Sequence, residues 1–89
     1  MRIIAGMARG MTLAAPHGGN VRPTSDRTRE AIFSSLGARV TDAVVLELFA
    51  GTGGLGLEAA SRGAAAVTFV ERARPALDCL QRNVATALT

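Results

Sequence analysis

The sequence predicts an α/β fold: the opening part of a parallel sheet, preceded by a β-hairpin and a helix. Three observations lead there. Two short runs, 43–48 and 66–70, are almost continuously apolar, the pattern of strands covered on both faces. A glycine-rich turn at 51–56 follows the first run. A helical pattern follows each run in turn. Strand, glycine turn, helix, strand, helix is the start of a right-handed parallel crossover.

The elements follow in order. Arg2 to Ala5 is β-prone, Gly6 and Gly10 break it, and Met11 to Ala14 can return beside it. Two strands alone are marginal in water, so this hairpin must lean on another element. Residues 15–22 carry Pro16, Gly18, Gly19 and Asn20 and read as a loop. Pro23 stops a helix from extending backwards, and Thr24 or Ser25 can cap one that starts there. Asp26 then lies where the helix dipole favours a negative charge. Asp26 with Arg29, and Arg27 with Glu30, are neighbours at three-residue spacing. Ile32, Phe33 and Leu36 form the expected apolar stripe, and Gly37 ends the helix.

Ala43-Val44-Val45-Leu46-Glu47-Leu48 is the first strand of the sheet. A helix is expected from about Gly54 to Arg62, ended by Gly63. Ala66-Val67-Thr68-Phe69-Val70 is the second strand, closed by Glu71. Pro75 suits the first turn of a last helix, where its missing N–H removes no bond. Leu77, Leu80, Val84 and Leu88 mark that helix's expected buried face. Phe49 and Phe69 are expected in strands and core. The chain divides into residues 1–41, an N-terminal hairpin, loop and helix, and residues 42–89, the start of the α/β domain.

Composition narrows the chemistry. The chain has 89 residues and 48% hydrophobic content, but 17 residues are Ala and there is no Trp or Tyr. Such a core is thin for an independent domain. Net charge is only +3, so the apolar content argues against disorder. All ten basic residues are Arg, whose planar fork grips phosphate in two-point fashion. A pI near 11.1 suits a nucleic-acid partner. A bias toward Ala, Gly and Arg would produce the same composition without that function. The single cysteine, Cys79, excludes an intrachain disulfide and reads as a small buried hydrophobe on the last helix. His17 stands alone in its loop, and a metal site needs three or four ligands. No run approaches the ~20 apolar residues of a membrane span. The first residues lack the apolar core of a secretory signal, so a soluble cytoplasmic protein is expected.

Gly51, Gly53 and Gly56, with Glu71 twenty residues after Gly51, carry the strongest local signal. The first glycine permits a tight turn, the second a close backbone approach to a ligand, the third close helix–strand packing. Free amides at the helix start favour an anionic group. An acid closing the next strand can accept hydrogen bonds from ribose hydroxyls. A plain structural turn is the alternative. Glu47, inside the strand and four residues before Gly51, suits a cationic ligand group across the turn. The ammonium of S-adenosylmethionine is such a group. The alternative is a partly buried acid paired with a nearby arginine.

Glu47-Leu48-Phe49-Ala50-Gly51-Thr52-Gly53-Gly54-Leu55-Gly56-Leu57-Glu58-Ala59 resembles motif I of the class I S-adenosylmethionine-dependent methyltransferases. Three further stretches are similar to one branch, the RsmD-type small-subunit ribosomal RNA guanine methyltransferases. They are Arg2-Ile3-Ile4-Ala5-Gly6, Arg22-Pro23-Thr24-Ser25-Asp26-Arg27-Thr28-Arg29-Glu30-Ala31-Ile32-Phe33, and Ser61-Arg62-Gly63-Ala64-Ala65. Ser34 departs from the Asn expected after Phe33. The resemblance implies the first half of a Rossmann-like sheet and S-adenosylmethionine as cofactor. It implies methylation of a guanine exocyclic amine in small-subunit ribosomal RNA or an assembling small subunit, with no metal and no membrane. Glu47 would meet the methionine ammonium. Phe49, Ala50, Gly51, Thr52 and Gly53 would wrap the cofactor, and Glu71 would hold the ribose hydroxyls. Arg2, Arg9, Arg22, Arg27 and Arg29 would lie near RNA phosphates.

The family's reactive Asp/Asn-Pro-Pro-Tyr/Phe run is absent, since the prolines are Pro16, Pro23 and Pro75. No catalytic residue is therefore assigned, and the 89-residue chain is expected to be a fragment that transfers no methyl group by itself. Two other classes compete: a nicotinamide-binding Rossmann fragment, against which Glu47 and the 22–30 segment argue, and a non-catalytic RNA-binding fragment.

Overall fold

The computed structural model describes residues 1–15 and 25–88. The expected loop with His17, and Arg22, Pro23 and Thr24, lie outside the described residues. The N-terminal segment pairs as predicted but through one antiparallel bridge, Arg2 with Thr12. Ile3 N donates to Met11 O at 3.0 Å, and Leu13 N to Met1 O at 2.8 Å. Ser25 caps helix α1 (Asp26–Leu36), its side chain accepting from Thr28 N. Gly37, at φ 54°, ends α1 and opens a 3-10 turn, Gly37–Val40. Strand β1 (Val44–Leu48), helix α2 (Gly54–Ser61), strand β2 (Ala66–Val70) and helix α3 (Arg74–Ala87) follow. The two strands pair in parallel, Val44 with Ala66 through Leu48 with Val70.

Helix α2 is the centre of the molecule. One side of it meets the sheet. Phe33, Val40 and Ala59 form a core with half-buried Val45, Leu55 and Val67. The other side meets the hairpin, where Ile3, Leu13 and Leu57 pack together with Met1, Phe69 and Val84 at their margin. The hairpin thus leans on α2, as its marginal stability requires.

Polar groups seal that contact. Glu58, on α2, has no exposed surface. Its Oε1 accepts from Ile4 N at 2.9 Å and its Oε2 from Ala5 N at 3.0 Å. Arg62 Nε donates to Oε2 at 2.8 Å, and the Arg62 guanidinium lies 4.8 Å from the centre of the Phe33 ring. Ser61 O and Oγ accept from Met7 N and Ala8 N.

The structure corrects four packing expectations. Both strands were expected to be covered on two faces, but the side bearing Val44, Leu46, Leu48 and Val70 is bare. Only Phe33 of the α1 stripe is buried; Ile32 and Leu36 line a cleft of about 200 Å³ beside the open sheet. On α3 the buried row is Ala76, Cys79, Leu80 and Asn83; of the expected row Leu80 is buried and Val84 packs at the core's margin, whereas Leu77 is only half-buried and Leu88 is exposed. Asn83 fixes that rotation: it accepts from Ala14 N at 2.7 Å and donates to Ala14 O at 3.0 Å and Thr52 O at 2.9 Å. Arg27 and Glu30 form no ion pair among the described residues, whereas Asp26 does bind Arg29.

Candidate cofactor-binding site

The loop joining β1 to α2 is held from three directions. Ala50 N donates to Val70 O at 2.8 Å, and Gly53 N to Ala50 O at 2.9 Å. Gly51 N donates to Glu71 Oε1 at 2.7 Å. Thr52 is buried, its carbonyl bonded to Asn83 of α3. Gly51 at φ 59° and Gly53 at φ 90° occupy left-handed backbone that glycine adopts without strain. The turn expected at Gly51 is therefore present. Gly53 has a second constraint, since a Cβ there would lie 2.4 Å from Leu80 Cδ1. Its left-handed backbone and this contact with α3 both favour glycine. Gly56 brings helix and strand together as expected: a Cβ would stand 2.3 Å from Phe69 Cε1 and 2.8 Å from Glu47 Oε1.

Phe49 departs from expectation. It follows β1 rather than belonging to it, takes φ 54°, and is 91% exposed. A non-glycine residue in that region costs on the order of 1–3 kcal/mol and persists where the surroundings impose it. Here the fastening of Ala50 and Gly51 to the end of β2 imposes it.

The two acids have opposite environments. Glu47 is half-buried, and its Oε1 accepts from Gly56 N at 2.8 Å. Burial pushes its carboxyl above the ordinary range; the amides of Gly56 and Leu55 partly offset this. No arginine pairs with it among the described residues. Glu71 accepts from Ala73 N at 2.8 Å as well as from Gly51 N. These backbone bonds hold its carboxyl below the ordinary range. A carboxylate has about four lone-pair sites, so with the amides of Gly51, Ala73 and Arg72 beside it one is left for a ligand's hydroxyl. The ordered glycine loop carries two acids at the strand ends, and their carboxylates are acceptors that fit a ligand with ammonium and ribose groups.

The arginines divide. Arg2, Arg9 and Arg27 are exposed around one cleft. Arg29, expected at phosphates, has no exposed surface. Its Nη2 donates to Arg2 O and Asp26 Oδ1, and its Nη1 lies 3.5 Å from Glu58 Oε1. It is a core ion holding the hairpin and α1 to α2. Sequence reasoning also missed Glu58, Ser61 and Asn83. The available signal was local: Glu58 and Ser61 stand three residues apart in a helix otherwise made of Gly, Leu and Ala. Among the described residues no three His, Cys, Asp or Glu group as a metal site, and no helix is long and apolar enough to cross a membrane.

The model of a protein family described as conserved hypothetical protein 95 matches residues 1–88. The chain belongs to that family. Ribosomal RNA small subunit methyltransferase D of Escherichia coli (strain K12) is 46% identical over 86 residues, which are 97% of this chain and 43% of that protein. The protein of the same name in Haemophilus influenzae is 41% identical, over 97% of this chain and 45% of its own length. The solved Escherichia coli structure of yhhF superposes with a TM-score of 0.87 at 42% identity, covering all of this chain and 47% of that one. The family fold is thus shared from the hairpin to α3. The chain spans a little under half the length of the relatives it matches. Those named relatives are methyltransferases, so the family is one of enzymes.

Proposed function

We propose that this chain is the cofactor-holding part of a cytoplasmic S-adenosylmethionine-dependent enzyme that methylates a guanine exocyclic amine in small-subunit ribosomal RNA. The observation that carries the proposal is the loop 49–53, fastened by Glu71, with the half-buried Glu47 bonded to Gly56 of the helix that the loop opens. The names of the relatives support RNA as the acceptor. When bound, S-adenosylmethionine supplies the methyl group. Glu47 would face its ammonium, Glu71 its ribose hydroxyls, and Phe49, Ala50, Gly51, Thr52 and Gly53 its remaining surface. The protein's contribution is then alignment, which in well-oriented reactions amounts to about 7–11 kcal/mol of the barrier. The Asp/Asn-Pro-Pro-Tyr/Phe run that would grip the acceptor does not occur in the 89 residues.

Calorimetric titration with S-adenosylhomocysteine and with NAD tests the cofactor assignment. The expected order is S-adenosylhomocysteine tighter than NAD, with Glu71→Ala weakening it about tenfold or more through loss of bonds to a charged acceptor. Tighter NAD binding, or an unchanged affinity in Glu71→Ala, overturns the assignment.

A further inference from the structure

The geometry points to a ribonucleotide-binding cleft between the hairpin and α1, in which Arg2, Arg9 and Arg27 take backbone phosphates and Glu30 takes a ribose 2′-hydroxyl. The inference rests on the proposed RNA substrate but not on the cofactor assignment. The cleft measures about 530 Å³ and is lined by Arg2, Ile3, Ile4, Arg9, Gly10, Asp26, Arg27 and Glu30. That volume lies within the roughly 300–1,000 Å³ of small-ligand sites.

Arg29, Arg62 and Arg74 have carboxylate partners. Arg2, Arg9 and Arg27, like Arg39, Arg72 and Arg82, have none among the described residues; what sets the first three apart is that they line one cleft, which two acids share. Asp26 is already paired with Arg29, although its side chain stays 54% exposed. That leaves three exposed guanidinium groups and one carboxylate, Glu30, without a side-chain partner. Three forked cations in one concavity suit phosphate oxygens. A carboxylate can only accept hydrogen bonds, and among phosphates it is repelled unless the ligand brings a donor. The 2′-hydroxyl is the donor that RNA has and DNA lacks. Ile3 is buried and Ile4 half-buried, so the floor is fixed by the bonds of Ile4 N and Ala5 N to Glu58. The cleft is therefore held rigid by the same residue that docks the hairpin on α2.

The test uses the 89-residue chain with a labelled 12-nucleotide single-stranded RNA and the DNA of the same sequence, followed by anisotropy across a salt series. Each lost phosphate contact should reduce the slope of log affinity against log salt by about 0.7, so Arg2→Ala/Arg9→Ala/Arg27→Ala should flatten it by about 2. Arg82→Ala, an exposed arginine on α3 outside the cleft, should leave the slope unchanged. Glu30→Gln should reduce the preference for RNA over DNA at least threefold. All five substituted side chains are exposed, and circular dichroism confirms that each variant keeps its fold. Backbone amide shifts on adding RNA to the unsubstituted chain should concentrate at Ile4 and Gly10. An unchanged slope in the triple variant, an equal loss in Arg82→Ala, or no RNA binding overturns the cleft. An unchanged RNA preference in Glu30→Gln overturns the 2′-hydroxyl contact. The titration with S-adenosylhomocysteine on the same preparation judges the cofactor reading separately.

Discussion

The two faces of the sheet carry similar side chains and meet opposite fates. On one face Val45, Glu47, Val67 and Phe69 pack under α2 and are at least half-buried. On the other, Val44 is 84% and Leu46 61% exposed, with Leu48 and Val70 beside them. Parallel strands are ordinarily covered on both faces. Among the described residues nothing covers the second face, so its apolar side chains remain exposed. The covered face shows what a layer must contribute: glycines that let the helix approach, and polar anchors that fasten it.

The largest expected effect comes from breaking the fastening on the covered side. Glu58→Ala leaves Arg62 without its acid, Arg29 with Asp26 alone, and two hairpin amides without an acceptor. Removing one member of a buried ion pair costs about 3–5 kcal/mol. Most of a small domain's stability would go, and urea unfolding should show no native baseline. A variant that unfolds at the unsubstituted midpoint would mean that Glu58 does not dock the hairpin.

Gly56→Ala attacks the same face by steric means. A Cβ 2.3 Å from Phe69 Cε1 forces α2 away from β2. Overpacking of this kind costs about 1–3 kcal/mol. The denaturation midpoint should fall accordingly, and the Phe69 ring should report a changed environment by NMR.

The most direct comparison pairs Val45→Ala with Val44→Ala, neighbours on opposite faces. Val45→Ala removes packed methyl groups and should cost about 1–2 kcal/mol. Val44→Ala touches solvent and should stay within about 0.5 kcal/mol. Equal losses would show that the bare face is covered in solution, and sedimentation would then reveal self-association.

The smallest effect is electrostatic. Burial raises the folded carboxyl of Glu47 above its unfolded value. The folded state therefore holds its proton more tightly, and the residue's contribution becomes less favourable as pH rises through that window. Glu47→Gln should gain on the unsubstituted chain between the ordinary carboxylate range and neutrality. A stability difference that does not change from pH 4 to pH 7 would contradict this. Glu71 has the opposite sign: its contribution is present above the unfolded value and is lost as pH falls through the lowered folded one.

Much was legible from local chemistry. Ser25 and Gly37 bound α1 because capping depends on a few adjacent residues. The parallel pair, the glycine turn and the start of α3 near Pro75 followed from apolar runs and backbone preference. The acids Glu47 and Glu71 were singled out from their spacing to Gly51, and both do reach the loop or the helix it opens. These features are local, so the order of residues determines them.

Tertiary structure decided what no window of sequence contains. Arg29 looked like a surface cation beside Asp26, but Glu58, 29 positions later, draws it into the core. Phe49 looked like the end of a strand, but the bonds of Ala50 and Gly51 to β2 turn the chain and put the ring in solvent. Leu77 and Leu88 had the periodicity of a buried stripe, but Asn83 rotates α3 by bonding Ala14 and Thr52. The sequence determined which residues could be helix, strand, turn or charge. Whether a charge is core or surface, and which side of an element faces inward, depended on partners far along the chain that only the folded state brings within hydrogen-bond reach.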